Sequence, residues 1–277
     1  MAIADPTRRA PAALSYTFTS ESVSEGHPDK VCDYIADSIL DAHLAQDPSS
    51  RVACEVLCKE NHVVLAGEIT SDAAVELEPL VRRAIGEIGY THEDQPFRAD
   101  AIDLIPFLSR QAGEIDQGVS AATSLSGEQG AGDQGIMFGY ATDETPELMP
   151  LPILLAHRLA RVLAEHRKGG SVDWLRPDSK TQVSVLYEGN TPLRVTDVLI
   201  STQHQPNVDI ETLLKPDLIQ HVIEPLLPTG LDNDGMKILV NPTGVFEIGG
   251  PRADTGLTGR KIIIDTYGGM ARHGGGA

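Results

Sequence analysis

The chain has 277 residues, of which 41% are hydrophobic and 22% charged, as in an ordinary globular protein large enough for two domains. It carries 22 basic and 40 acidic residues, a formal net charge of -18. Because there is no excess of lysine and arginine to release counterions, this balance argues against nucleic acid or an anionic membrane as the main partner. An anionic small substrate bound by a local basic cluster stays open, and an acidic pocket would suit divalent metals.

The cysteines and the absence of long apolar runs bear on location. Cys32, Cys54 and Cys58 are expected to be buried, reduced thiols rather than metal ligands, because no second Cys/His pair has ligand spacing. No apolar run reaches membrane-spanning length and no signal peptide precedes the first predicted strand. A cytoplasmic location is therefore the expectation, and residues 1–14 are expected to form a disordered leader.

Hydrophobic periodicity predicts a regular order of elements in the first part of the chain. Pro28 fits the first turn of a helix and Asp47-Pro48 ends it. The predicted elements are a strand at 15–20, a helix at 28–46, strands at 51–58 and 62–70, a helix at 75–88 and a strand at 101–108. Residues 109–134 then form a long loop rich in Gly, Ser, Ala and Gln, which is typical of a functional lid or a linker.

The same order of elements recurs after this loop. The second set is predicted as a strand at 135–141, a helix at 150–166, strands at 181–187 and 193–203, a helix at 208–223 and a strand at 236–240. A third set begins with an apolar strand at 261–267 and stops at Ala277. The sequence therefore predicts an α/β (α+β) fold of repeated β-α-β-β-α-β modules with the third module largely missing, from which we expect a truncated or incompletely represented chain.

This repeat suggests domain boundaries. They are a leader at 1–14, an N-terminal module at 15–110, a loop at 111–126, a central module at 127–245 and the start of an incomplete C-terminal module at 246–277.

Two polar stretches could carry chemistry. The first is residues 18–30, where a polar loop meets a helix N-terminus, which suits an anion such as phosphate. His27 could stabilise a phosphate or a leaving group, and Asp29 could hold Mg²⁺. Taken alone, this loop is more simply a well-capped helix with incidental charges. The second is residues 127–135, with four glycines in nine residues, which is either a tight structural crossing or a ligand cradle.

Other charged residues have both a structural and a functional interpretation. Glu55 and Glu68 lie on adjacent strands of a predicted hairpin and are either solvated or bind a cation or a ligand's amine. Residues 176–180 are predicted to form a Pro-Asp turn, ordinary or placed so that Lys180 faces a polyphosphate. Residues 249–261 are predicted to form a loop, where adjacent Arg260 and Lys261 could clamp an anion.

Five ordered blocks resemble the methionine adenosyltransferase (S-adenosylmethionine synthetase) family, and the likeness runs from about residue 16 to residue 277. The blocks, as they stand in this sequence, are residues 20–30 (SESVSEGHPDK), 130–140 (GAGDQG…FGY), 174–178 (WLRPD), 241–244 (NPTG) and 256–269 (GLTGRK…DTYGG). Together they are far more specific than a single glycine-rich motif.

The resemblance implies an enzyme that makes S-adenosylmethionine from ATP, L-methionine and water by attack of sulfur on C5′, then cleaves the triphosphate to phosphate and diphosphate. It implies two Mg²⁺ ions per site and K⁺. It also implies modules related by pseudo-threefold symmetry, and a cytoplasmic homodimer with the site between subunits, commonly paired into a homotetramer.

The resemblance also assigns roles to positions of this sequence. Residues 111–123 would form a mobile gate, and Asp133, an acid, suits methionine's ammonium better than phosphate. The implied catalytic residues are His27, Lys180, Arg260 and Lys261. The implied ATP contacts are His27, Asp178, Ser179, Lys180, Val245, Phe246, Asp254, Arg260, Lys261 and Ala277. The implied methionine contacts are Glu68, Gln111, Asp133 and Asp254, with Asp29 as a Mg²⁺ ligand and Glu55 as the K⁺ ligand.

Two departures from the family keep alternatives open. Val245 stands where many relatives carry a basic residue, and the lysine-containing Phe-Ser-Gly-Lys-Asp segment that follows Gly-Gly-Gly-Ala in the family is not present. The chain could therefore be a catalytically silent fragment that binds ATP or pairs with a complete subunit. A generic phosphate-binding α/β enzyme is a third interpretation.

Overall fold

The computed structural model describes residues 14–110, 127–128, 135–170 and 172–275. In chain order, the helices and strands are β1 (Ser15–Val23), α1 (Pro28–Leu44), β2 (Arg51–Lys59), β3 (His62–Thr70), α2 (Leu77–Ile88), β4 (Asp103–Ser109), α3 (Leu151–Lys168), β5 (Leu175–Glu188), β6 (Thr191–His204), α4 (Lys215–Leu218), β7 (Lys237–Val240), α5 (Gly250–Ala253) and β8 (Gly256–Leu257).

The strands form two four-stranded sheets. The first sheet has the order β1-β5-β6-β7, with β7 parallel to β6 and the other pairs antiparallel. The second has the order β4-β3-β2-β8, with β4 parallel to β3 and the other pairs antiparallel. Since β1 lies in the first sheet while α1 packs on β2, the chain passes between the sheets in the loop at 24–27. This crossing places the candidate site.

Each sheet has its own hydrophobic core. In the first, α3 packs against β1 and β5, and the fully buried side chains include Val183, Val185 and Ile200. In the second, α1 packs on β2 and α2 packs on α1, and both helices share one core with β2 and β3. The apolar residues of α2 recur every three or four positions, so Leu80, Val81, Ala84, Ile85 and Ile88 all face inward. The mixed α/β class predicted from the sequence is confirmed.

The predicted strand at 135–141 is wrong. These residues have no regular secondary structure, and Ile136 and Met137 are 63% and 87% exposed. A strand exists only when a neighbour accepts its backbone hydrogen bonds. None of the eight strands in the described ranges pairs with this apolar run.

The predicted strand at 261–267 is also wrong, because this segment folds into consecutive turns. Asp265 N–H donates to the carbonyl of Lys261, and Gly268 N–H donates to that of Ile263. The Thr266 hydroxyl donates back to the carbonyl of Ile262 at 2.9 Å. Local hydrogen bonds of this kind compete with a sheet ladder, so an apolar composition alone did not decide the structure.

The predicted turn at 176–180 lies inside β5, which begins six residues before the predicted strand. Pro177 is tolerated there because the β5–β6 pairing is irregular between Leu175 and Ser179. The buried Arg176 guanidinium donates to both carboxylate oxygens of Asp94. This long-range pairing holds the segment extended.

The remaining elements follow the prediction with differences at their ends. The helix predicted at 208–223 is a series of short π, α and 3₁₀ turns from Ile210 to Leu226. Cys32 and Cys58 are buried, Cys54 is half-buried, and all three are free thiols. Pseudo-threefold symmetry is not confirmed, and the module boundaries stay a prediction. Within the described ranges, no helix is both long and apolar enough to span a membrane.

Candidate functional site

The candidate site is built around the N-terminus of α1. His27 caps this helix, and its Nδ1 accepts the backbone N–H of Asp29 at 3.1 Å. An acceptor Nδ1 leaves the proton of a neutral imidazole on Nε2. His27 therefore has one donor hydrogen that the cap does not use. Pro28, which has no N–H to lose, starts the helix as expected.

His27 is held neutral by its surroundings. Its residue surface is only 3% exposed. Burial, followed by the positive charges of Lys261 and Lys180, lowers the pKa of His27 to about 4. At neutral pH the side chain is therefore a hydrogen-bond donor without charge, placed beside two ammonium groups.

This environment predicts the titration of His27. We expect its imidazole proton resonances to titrate with a midpoint near pH 4, because the charged form is disfavoured by burial and by both lysines. The measurement is a two-dimensional NMR pH titration, with a His27→Gln variant used to assign the resonance. A midpoint near 6.5, the ordinary value for histidine, would contradict this picture of the site.

Asp29 is the centre of the charged cluster. Its carboxylate is 2% exposed, with the Lys261 ammonium at 2.6 Å from Oδ2 and the Arg260 guanidinium at 3.5 Å from Oδ1. The Leu257 N–H also donates to Oδ1 at 3.0 Å. Burial raises the pKa of Asp29, but the hydrogen bonds from Lys261 and Leu257 outweigh it and the net pKa is lowered. Asp29 is thus ionised and holds the two basic residues at the helix N-terminus.

The start of β5 joins this cluster through Ser24. The Ser24 hydroxyl donates to the carbonyl of Pro177 at 2.7 Å and accepts the N–H of Ser179 at 2.9 Å. A Cβ at Gly26 would collide with the Pro177 carbonyl, so only glycine permits this close approach. The loop at 24–27 and the residues at 177–180 are therefore fixed to each other.

Asp178 is a buried acid with spare hydrogen-bonding capacity. Its Oδ2 accepts the N–H of Gly250 at 2.8 Å, whereas its buried Oδ1 has no partner among the described residues. Burial raises the pKa of Asp178 to about 6, against the lowering effects of Gly250 and Lys180. A buried acceptor left unpaired destabilises the fold, and such groups are typical of ligand sites.

Lys180 and Asp254 lie at the exposed rim of the cluster. The charge of Lys180 lowers the pKa of both His27 and Asp178, and that of Asp254 raises both. The Asp254 carboxylate accepts the N–H of Thr255 at 2.8 Å, and Arg260 donates to the Thr255 carbonyl at 3.1 Å. Six predicted residues therefore share one site with Asp29, namely His27, Asp178, Lys180, Asp254, Arg260 and Lys261.

Other predicted residues lie apart from this cluster or make different contacts. Glu55 is exposed and accepts a hydrogen bond from the hydroxyl of Thr258, close to the basic residues. Glu68 is exposed on β3, where it is in register with Ala53 and Ser109. Ser179 is buried, and its hydroxyl has no partner among the described residues.

Val245 is 68% exposed, and Phe246 exchanges hydrogen bonds with His204 through its backbone. Gln111, Asp133 and Ala277 lie outside the described residues, as does the whole of the predicted gate.

Three groups that shape the site were not predicted individually from the sequence. Ser24 and the Gly250 N–H gave no sequence signal, because their partners lie more than 70 residues away. Asp33 did give one. It lies four residues after Asp29 on the predicted helix and therefore on the same face. Its Oδ1 accepts the N–H of Gly259 at 3.0 Å, next to Arg260.

The donor set has limited capacity for a metal. Among the described residues, no three His, Cys, Asp or Glu side chains lie close enough to form a metal cage. Mg²⁺ commonly binds through one or two carboxylates together with substrate phosphates and water. The ionised Asp29 beside a cationic cluster fits that mode, with further oxygens coming from a phosphate ligand.

Comparison with known proteins gives matches along nearly the whole chain. Family models match the N-terminal domain of S-adenosylmethionine synthetase at residues 15–113, its central domain at 128–246 and its C-terminal domain at 248–277. The S-adenosylmethionine synthase of Sorangium cellulosum is 56% identical over 263 residues, which covers 95% of this chain and 62% of the relative. That of Desulforudis audaxviator is 54% identical over 269 residues, covering 95% and 68%.

The chain thus spans about two thirds of the length of these relatives. The N-terminal, central and C-terminal domain models match consecutive parts of the chain in that order. The chain belongs to the S-adenosylmethionine synthetase family.

Proposed function

We propose that this protein forms S-adenosylmethionine from ATP and L-methionine, with water used to cleave the triphosphate into phosphate and diphosphate. The observation that carries the proposal is the cluster at the N-terminus of α1. There a buried, neutral His27 lies beside the cations of Lys180 and Lys261. Lys261 and Arg260 are both held by the carboxylate of Asp29. Cations and a helix N-terminus suit a polyanion such as the triphosphate of ATP.

The attack of sulfur on C5′ requires no proton transfer to a protein base. The sulfur of methionine is already a nucleophile, so no general base is required. The protein instead has to align sulfur with C5′ and stabilise the negative charge that develops on the leaving triphosphate. In our proposal the Nε2–H of His27 donates to the leaving oxygen while Lys180, Arg260 and Lys261 oppose the charge.

The remaining parts of the proposal concern metals, methionine and assembly. Asp29 would bind Mg²⁺ and Glu55 K⁺, and the metals would neutralise phosphate charge. Glu68, Gln111, Asp133 and Asp254 would contact methionine. We also propose a cytoplasmic homodimer with the site between subunits, paired into a tetramer. The pairing of Asp29 with Arg260 and Lys261 supports the ATP side of this scheme.

The direct test is product analysis. The purified protein is incubated with ATP, methionine, Mg²⁺ and K⁺, and the products are identified by mass spectrometry. We expect S-adenosylmethionine, phosphate and diphosphate in equal amounts, and no turnover without methionine. Phosphate release without methionine would support a generic phosphate-binding enzyme instead. An intact mass of 29.7 kDa for the natural protein, together with no turnover, would support a silent fragment.

Lys180 offers a prediction within this assay. Because Lys180 is proposed to face the polyphosphate, Lys180→Ala is expected to lower kcat about 100-fold with little change in the KM for methionine. Steady-state kinetics with each substrate varied in turn makes the measurement. Lys215→Ala is the matched control, since Lys215 pairs with Glu211 on a distant helical turn. A normal kcat for Lys180→Ala would show that Lys180 has no catalytic role.

A further inference from the structure

Helix α1 holds the basic residues of the site at two points. We call residues 257–261 the basic turn. Asp29 accepts the N–H of Leu257, and Asp33 accepts the N–H of Gly259, each at 3.0 Å. The two acids are four residues apart on a helix, so their side chains emerge on the same face one turn apart. The basic turn is therefore fixed to α1 at both ends of a three-residue stretch.

The second of these points controls Arg260 directly. Gly259 has a φ of +70°, a left-handed conformation that non-glycine residues adopt at a cost. Its N–H lies one peptide before Arg260, so the hydrogen bond to Asp33 fixes the direction in which the chain enters Arg260 and Lys261. Among the described residues, no atom would lie within 4 Å of a Cβ at Gly259. Glycine is thus required by the backbone angle and not by crowding.

Ion pairs also hold the carboxylate of Asp33 in place. The Lys30 ammonium lies 3.2 Å from Oδ2 of Asp33 and is also bonded to the carboxylate of Asp265. Lys30, Asp33 and Asp265 therefore form a chain of alternating charges that runs from α1 to the turns following the basic turn. A carboxylate at position 33 that is paired in this way is a strong acceptor for a backbone N–H.

We propose that Asp33 is a positioning residue for the polyphosphate-binding cations, acting through the Gly259 N–H and without touching substrate. This inference deepens the proposed function and rests on it. Loss of the acceptor would free the basic turn to relax, so that Arg260 and Lys261 would no longer be held ready for the triphosphate. Binding and departure of the triphosphate would suffer, whereas methionine binding would not.

The experiment compares Asp33→Ala with Asp33→Asn. Alanine removes the acceptor, and we expect about a tenfold loss of kcat and a similar loss of affinity for Mg²⁺–tripolyphosphate by calorimetry. The KM for methionine should not change. Asparagine keeps an acceptor oxygen and should recover most of both losses. Asp37→Ala is the matched control, because Asp37 lies one turn further along α1 and makes no hydrogen bond or ion pair to the basic turn among the described residues.

A second variant keeps the test decisive if Asp33→Ala fails to fold. Gly259→Ala strains the same turn from its other side, and should weaken tripolyphosphate binding by a similar factor while the melting temperature confirms a folded protein. Full tripolyphosphate affinity in both Asp33→Ala and Gly259→Ala would overturn the inference, as would an asparagine variant as impaired as alanine.

The two proposals can fail separately. If the unaltered protein forms no S-adenosylmethionine, the proposed function fails, but the tripolyphosphate affinities still test Asp33. If the unaltered protein turns over and Asp33→Ala equals it in kcat and tripolyphosphate affinity, the positioning role fails and the function stands.

Discussion

Lys261→Met is expected to reduce kcat by at least about 100-fold and to lower the free energy of unfolding by roughly 3 kcal/mol at neutral pH. The first effect follows because the variant removes a cation proposed to face the triphosphate. The second follows because Asp29, which is 2% exposed, loses the ammonium at 2.6 Å from its carboxylate. Kinetics with ATP varied and urea denaturation at neutral pH measure the two effects.

The stability loss should depend on pH in a defined direction. The pKa of Asp29 is lowered in the folded protein, so its pairing stabilises the fold above the ordinary carboxylate pKa and ceases to do so as pH falls through the lowered value. The difference in the free energy of unfolding between Lys261→Met and the unaltered protein should therefore become smaller as the pH is lowered.

The double variant Asp29→Asn/Lys261→Met separates the two roles of Lys261. It removes the buried charge together with its partner, so it should recover most of the stability but none of the activity. Recovery of activity in the double variant would mean that Lys261 acts only as a structural partner of Asp29.

Asp178→Asn is expected to change both the pH dependence of the free energy of unfolding and the kinetics with ATP. Burial raises the pKa of Asp178 to about 6, so the folded protein binds this proton more tightly than the unfolded chain does. The stability of the unaltered protein relative to the variant should therefore fall by about 2 kcal/mol as pH rises from about 4.5 to 7.5. Asparagine does not ionise, so the stability of the variant lacks this dependence on pH.

The same substitution should lower kcat/KM for ATP by roughly tenfold or more. It alters a carboxylate oxygen that has no partner among the described residues, in a residue proposed to contact ATP. Urea denaturation across this pH range and steady-state kinetics test the two parts. A stability difference that does not vary with pH would contradict the raised pKa. Unchanged kinetics would remove Asp178 from the site.

The sequence was sufficient for elements whose structure depends on local periodicity. The helix that begins at Pro28 and the hairpin of β2 and β3 were predicted with ends within a few residues. His27 and Asp29 were placed correctly at the helix N-terminus, because a proline and an acid at a helix start leave little choice of register.

The sequence was insufficient where partners distant along the chain decide the outcome. Residues 135–141 have strand-like composition but no pairing strand among the described residues. Residues 176–180 look like a turn, yet the ion pair between Arg176 and Asp94 holds them extended. Likewise Asp178 accepts the N–H of Gly250, which lies 72 residues further along the chain. None of these contacts leaves a periodic pattern in the sequence.

In the proposed function, the cluster around Asp29 receives the triphosphate that leaves C5′ of ATP. The most direct measurement uses ATP labelled with oxygen-18 at the oxygen that bridges C5′ and the α-phosphorus, incubated with methionine, Mg²⁺ and the purified protein. Attack of sulfur on C5′ breaks the carbon–oxygen bond, so the label should appear only in phosphate or diphosphate and the adenosyl product should carry none. Label retained in the nucleoside product would show cleavage at phosphorus, and the proposed attack of sulfur on C5′ would then be wrong.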